Sequence, residues 1–151
     1  MRKTWFLLLF LPLLTFAQTT GNQIKKAHQE TPPGISITPD NLDFSDQVVK
    51  KASKPLRLTV TNTGGKKLYI NSVAVGGDNQ QDFVMSHDAC TGATIDAQKS
   101  CVVDVVFSPT TTEKRKATLI FTDNALNSPQ QVQLSGNGIN SADVPPRKSD
   151  R

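Results

Sequence analysis

Large apolar residues in this chain recur at every second position, the spacing of a strand with one buried face. Cys101, Val103, Val105 and Phe107 share one face and Val102, Asp104 and Val106 the other; Pro109, which has no ladder donor, ends the run. Leu56, Leu58 and Val60 alternate with Arg57, Thr59 and Thr61, and Ala117, Leu119 and Phe121 with Thr118, Ile120 and Thr122. Ile35 and Ile37, then Leu42 and Phe44, read as a first strand broken in two at Pro39. Residues 68–75, residues 82–85 and the pair Val132 and Leu134 supply three more. Turn signals separate them: the charged stretch 50–55, Asn62-Thr63-Gly64-Gly65 with residues able to take positive φ, Gly76-Gly77-Asp78, residues 109–113, residues 123–129 and Gly136-Asn137-Gly138.

About seven short strands, with no sustained 3.6-residue period beyond the N-terminus, predict an all-β fold: a single antiparallel β-sandwich of immunoglobulin size. Antibody-type hallmarks are missing. The only tryptophan is Trp5, the two cysteines lie too close in sequence to bridge distant strands, and no tyrosine stands two residues before the second one.

The N-terminus changes what the composition means. Arg2 and Lys3 precede an apolar run from Trp5 to Phe16, and Thr15-Phe16-Ala17 offers a small-residue cleavage site, so residues 1–17 read as a secretory signal peptide. The run is short for a membrane span, no second one follows, and no cysteine at the cleavage point accepts a lipid. A soluble mature chain beginning near Gln18 is expected, periplasmic or extracellular. Residues 18–34 read as a flexible leader, 35–138 as the sandwich and 139–151 as a disordered polar tail. The formal net charge of +4 loses Arg2 and Lys3 with the signal peptide, and the aromatic set shrinks to Phe44, Phe83, Phe107, Phe121 and Tyr69. So mildly basic and aromatic-poor a domain is a poor candidate for nucleic-acid binding or for a sugar-stacking platform.

Candidate chemistry is sparse. Cys90 and Cys101, the only cysteines, read as a disulfide in an exported chain; a loop of that length contributes somewhat under about 3 kcal/mol in the chain-entropy model. A nucleophilic Cys–His reading with His87-Asp88 competes with it, but a bridged sulfur is no nucleophile and His87 reads as an exposed turn residue. His28 falls in the leader, so no zinc ligand set can be composed. Asp40, Asp43 and Asp46 recur every third residue without the spacing of a calcium loop, and read as solvated carboxylates. No catalytic residue, metal or cofactor is expected.

The ordered succession Thr59-Val60-Thr61-Asn62-Thr63-Gly64, Leu68 and Ile70, Asp82-Phe83, Cys90, Ser100-Cys101, Val105-Val106-Phe107-Ser108-Pro109, Arg115-Lys116-Ala117, Asn124-Ala125, Ser128-Pro129 and Leu134-Ser135-Gly136-Asn137-Gly138 resembles the hydin-like (ASH) immunoglobulin-like domain. The likeness covers about residues 35–138. In bacteria the module is common in secreted proteins of the choice-of-anchor D type, although this chain shows no sorting or membrane anchor. The resemblance implies an interaction and scaffolding domain without catalytic residues, similar in fold to pilus-chaperone and major-sperm-protein domains. Two departures stand in turns: Gln98 where the family often has glycine before Ser-Cys, and Glu113-Lys114 where it often has glycine before the basic-Ala motif.

One surface feature points to a partner. Lys50, Lys51 and Lys54 precede the second strand, and Lys114, Arg115 and Lys116 are expected in the loop between the fifth and sixth, so a sandwich brings all six to one end as a contact for an anionic partner. The expected function is a secreted or periplasmic, non-enzymatic binding module of the bacterial cell envelope, its partner a protein or envelope component. Contact is made by those loops or by an edge strand. The alternatives are a periplasmic chaperone-like domain acting through an edge strand and, less favoured, a small hydrolase.

Overall fold

The computed structural model describes residues 30–143. The expected signal peptide, most of the leader and residues 144–151 lie outside the described residues.

Among the described residues nine strands form two sheets: β1 (Ile35–Thr38), β2 (Asn41–Val48), β3 (Leu56–Asn62), β4 (Leu68–Gly76), β5 (Phe83–Asp88), β6 (Thr94–Ile95), β7 (Ser100–Phe107), β8 (Glu113–Asp123) and β9 (Gln130–Ile139). One sheet has the order β1-β3-β7-β5 and the other β2-β9-β8-β4-β6. This is the expected all-β sandwich. The predicted first strand does break at Pro39, and its halves join different sheets: β1 pairs antiparallel with β3, whereas β2 crosses over and lies parallel to β9. The alternating apolar positions meet between the sheets, where Leu58, Val60, Val103, Val105, Leu119 and Phe121 are fully buried. Phe44 of β2, Phe83 of β5 and Phe107 of β7 join the layers at one end, with Phe83 and Phe107 stacked at 4.8 Å and Phe44 5.7 Å from Phe107. Gly136 makes room for that cluster, since a Cβ there would stand 2.4 Å from the Phe107 ring.

Four local expectations change. β8 begins at Glu113, so Lys114, Arg115 and Lys116 lie in a strand and not in a loop. Arg115 continues the inward phase of Ala117, Leu119 and Phe121, and its charge hides that periodicity. Asn62 does not turn the chain through positive φ. It is the buried last residue of β3, and its amide accepts from Gly64 N (2.9 Å) and donates to the carbonyls of Ile95 (2.9 Å) and Lys66 (2.8 Å). Packing also begins before Ile35, because Thr31 O accepts from Gly65 N and Lys66 N, and a Cβ on Gly64 would meet Pro32 O at 2.0 Å. At the other end β9 runs on to Ile139, followed by a 3-10 turn at Ser141–Asp143.

The two family departures fall where backbone conformation matters. Gln98 has φ 61° and Glu113 φ 86°, both in the left-handed region that favours glycine. That conformation costs an L-residue about 1–2 kcal/mol, of which glycine returns part as chain entropy. Glu113→Gly is therefore expected to stabilise the domain by about 0.5–1 kcal/mol, read as a rise in Tm of a few degrees; an unchanged or lower Tm would show that Glu113 is not strained.

Candidate functional site

Among the described residues the most deeply buried charge is Asp82, fully inaccessible in the turn before β5. Its Oδ2 accepts from Arg115 Nε at 2.5 Å and its Oδ1 from Thr110 N at 3.2 Å, while its carbonyl accepts from Ser108 N at 2.8 Å. One carboxylate thus ties together the β4–β5 connection, the β7–β8 connection and β8. The arrangement is a structural clamp, and it commits the Nε of Arg115 to Asp82. Sequence reading missed the pair, although both halves stand in the family motif as Asp82-Phe83 and Arg115-Lys116-Ala117.

The remaining cations sort by position. Lys50 N donates to Pro109 O (2.9 Å) and Ser53 N to Phe107 O (2.8 Å), so the loop carrying Lys50, Lys51 and Lys54 is stitched to the connection that leads into β8. The structure therefore places the lysine loop and the start of β8 at one end. Lys114 and Lys116 face outward from β8, in rows with Asn137 and Asp46 and with Ser135 and Asp43 respectively. Two carboxylates thus line the same surface as those two lysines. Asp46 Oδ1 accepts from Asn137 Nδ2 (2.8 Å), Asp43 Oδ1 from Ser45 N (2.9 Å) and Asp40 Oδ1 from Asn41 Nδ2 (3.0 Å). Among the described residues no group of three or more acidic, histidine or cysteine side chains could hold a metal ion.

Cys90 and Cys101 form the expected disulfide, with Cα atoms 5.3 Å apart. The loop it closes is a clasp between the sheets. Cys101 belongs to the β3–β7 layer, whereas Ala93 O and Gly92 N bond Ile70 of β4, and Thr91 Oγ1 accepts from Val73 N. Asp88 caps this loop. Burial pushes its carboxyl up, but hydrogen bonds from Thr91 Oγ1 and N and from Cys90 N outweigh that and leave it below the usual carboxylate range. His87 is exposed on β5 opposite Asp104, whose carboxylate is held low by a two-pronged bond to Arg57 (2.7 and 2.8 Å). Both sulfurs are consumed in the bridge and Asp88 in the cap, so the Cys–His reading has no free nucleophile.

Two packed sheets joined by a strand that changes layer, over about a hundred residues, define an immunoglobulin-like domain. The chain belongs to the HYDIN/CFA65/VesB-like Ig-like domain family, whose sequence model matches residues 33–137. Among solved structures it is similar to the secreted serine protease VesC from Vibrio cholerae, at 19% identity and a TM-score of 0.56. The match covers 70% of this chain and 23% of that one. It is similar also to the ASH/PapD-like domain 7 of human CEP192 (15% identity, TM-score 0.51, 71% and 86% covered) and to the periplasmic chaperone SfaE (11% identity, TM-score 0.53, 70% and 58% covered). At these identities the likeness is one of fold, and the chain spans less than a quarter of VesC. No curated protein matches the chain. Among the described residues no helix is long and apolar enough to cross a membrane.

Proposed function

We propose that the protein is a non-enzymatic binding and scaffolding module of the cell envelope, working outside the cytoplasm, and that it meets an anionic partner through Lys50, Lys51 and Lys54, with Lys114 at the margin. The observation that carries this is the lysine loop itself: three exposed cations on a loop bonded to the β7–β8 connection, none of them in an ion pair among the described residues. Cations held on a rigid end raise the local concentration of a polyanion. The disulfide supports an oxidising compartment, and membership in a family of immunoglobulin-like domains is compatible with a binding module. Arg115 takes no part in the contact, because it is held by Asp82.

Strand addition, the route of a chaperone-like domain, meets broken edges. β9 lies between β2 and β8, β1 has only four residues, β2 changes register around Ser45 at φ 53°, and β5 changes register between Met85 and His87. Short or bulged edges of this kind discourage pairing.

Cosedimentation with vesicles rich in anionic phospholipid, and with a soluble acidic polysaccharide, tests the reading. Binding is expected at low salt, weakening steeply as ionic strength rises to physiological. The triple variant Lys50→Ser, Lys51→Ser, Lys54→Ser should lose it while keeping its Tm. Arg115 must stay in place, since its removal damages the fold. Equal binding by the triple variant, or none by the wild type to either polyanion, would retire the lysine contact.

A further inference from the structure

The end of the sandwich opposite the lysine loop holds an open cleft of about 600 Å³, a size suited to a small ligand. Four chain segments build it: Glu30 and Pro33, Gly65 to Lys67 with Tyr69, Asp96 and Ala97, and Asn124. Each is fixed. Thr31 O accepts from Gly65 N and Lys66 N, which holds the first wall against the β3–β4 turn. Asn124 Oδ1 accepts from Tyr69 N (2.8 Å), its Nδ2 donates to Lys67 O (3.2 Å), and its backbone N donates to Tyr69 O (3.2 Å). Lys67 Nζ bonds Asp96 Oδ1 and so joins the β3–β4 turn to the β6–β7 turn.

On this frame Tyr69, the chain's one tyrosine, points outward from β4 and stays 45% exposed between a buried Leu68 and a buried Ile70. Around the ring the charges balance, Lys66 and Lys67 against Glu30 and Asp96. The balance disfavours a strongly anionic ligand as much as a cationic one. Besides the ring, Pro33 and Ala97 are the only apolar residues among those that line the cleft, too few for the alternate side-chain pockets that a peptide needs. The Lys67–Asp96 pair is exposed and only partly used: the ammonium has two further N–H groups, and among the described residues Asp96 Oδ2 has no partner. A flat aromatic face beside a donor and an acceptor fits an uncharged ligand that has one apolar face and vicinal hydroxyls.

We propose that this cleft is a subsite for a neutral pyranoside of a glycan, with the Tyr69 ring as the stacking platform and Lys67 and Asp96 as donor and acceptor to neighbouring hydroxyls. The scarcity of aromatics that argues against sugar stacking at the level of composition does not apply to a single ring on a prearranged frame. This rests on the reading of the domain as a binding module, and names a second contact at the far end from the lysines.

The test is an NMR titration of the ¹⁵N-labelled protein with neutral oligosaccharides: cellotetraose, maltotetraose, chitotetraose and xylotetraose. At least one should shift the amides of Gly65 to Tyr69, Asp96, Ala97 and Asn124, saturating in the millimolar range. Tyr69→Ala, whose ring lies outside the core, should keep the Tm and weaken binding at least about tenfold; Asp96→Asn should weaken it less. The Lys50, Lys51, Lys54 triple variant should bind sugar like the wild type, so a failed polyanion contact and a failed sugar site are read separately. Absence of cleft shifts with all four sugars, or shifts that persist in Tyr69→Ala, would overturn the proposal. So would cleft resonances that respond to a peptide mixture and to no sugar.

Discussion

Asp82→Ala is expected to cost about 3–5 kcal/mol in urea unfolding, because it strands the guanidinium of Arg115 in a nearly closed site and leaves Thr110 N without its acceptor. The reverse change, Arg115→Met, leaves a fully buried carboxylate and should be about as damaging. Replacing both, Asp82→Asn with Arg115→Met, should recover much of the loss. A buried pair owes most of its apparent strength to the desolvated charge left when one partner goes. Single-variant costs below about 1 kcal/mol, in the range of exposed ion pairs, would show that the clamp is solvated and the inward reading of Arg115 wrong.

A second large effect is expected at Asn62. Asn62→Ala deprives Ile95 O, Lys66 O and Gly64 N of their partner at once, in a site where Asn62 and Gly64 are both buried. Each abandoned buried group costs about 1–3 kcal/mol, and Lys66 O, on an exposed turn, is the one that water can reach. The net loss should be about 3 kcal/mol. Asn62→Asp should also destabilise, since a carboxylate accepts from Gly64 but cannot donate to either carbonyl. Hydrogen exchange gives a local signature: amides of residues 64–66 and 95–99 should exchange faster in Asn62→Ala than those of β7 and β8. A uniform change would mean that Asn62 does not organise that end.

The strands were legible because period 2 is a direct readout of one-sided burial. Leu58 and Val60, Val103 and Val105, and Leu119 and Phe121 all lie inward as their alternation demands. The disulfide was legible from the two cysteines once export of the chain was expected. What escaped was polar. Arg115 sits in phase with the inward residues of β8, yet a charge at the head of a strand reads as loop unless its acid is known, and Asp82 lies 33 residues away. Asn62 was picked out for its turn-forming backbone, whereas its amide does the holding. Ser128 and Asn124 were likewise visible as motif words before their bonds to Asp123 N and Tyr69 N gave them a reason. The Tyr69 cleft had no sequence signal, because it is assembled from four separate segments, each ordinary in itself.

The most direct measurement of whether this domain works by binding at its lysine end is crosslinking in intact cells that express it. Wild type would be compared with the Lys50, Lys51, Lys54 triple variant, and the recovered lipids, glycans and proteins identified. A reproducible anionic partner, captured by the wild type and lost from a folded triple variant, is the expected result. No partner, or one captured equally by both, would contradict it.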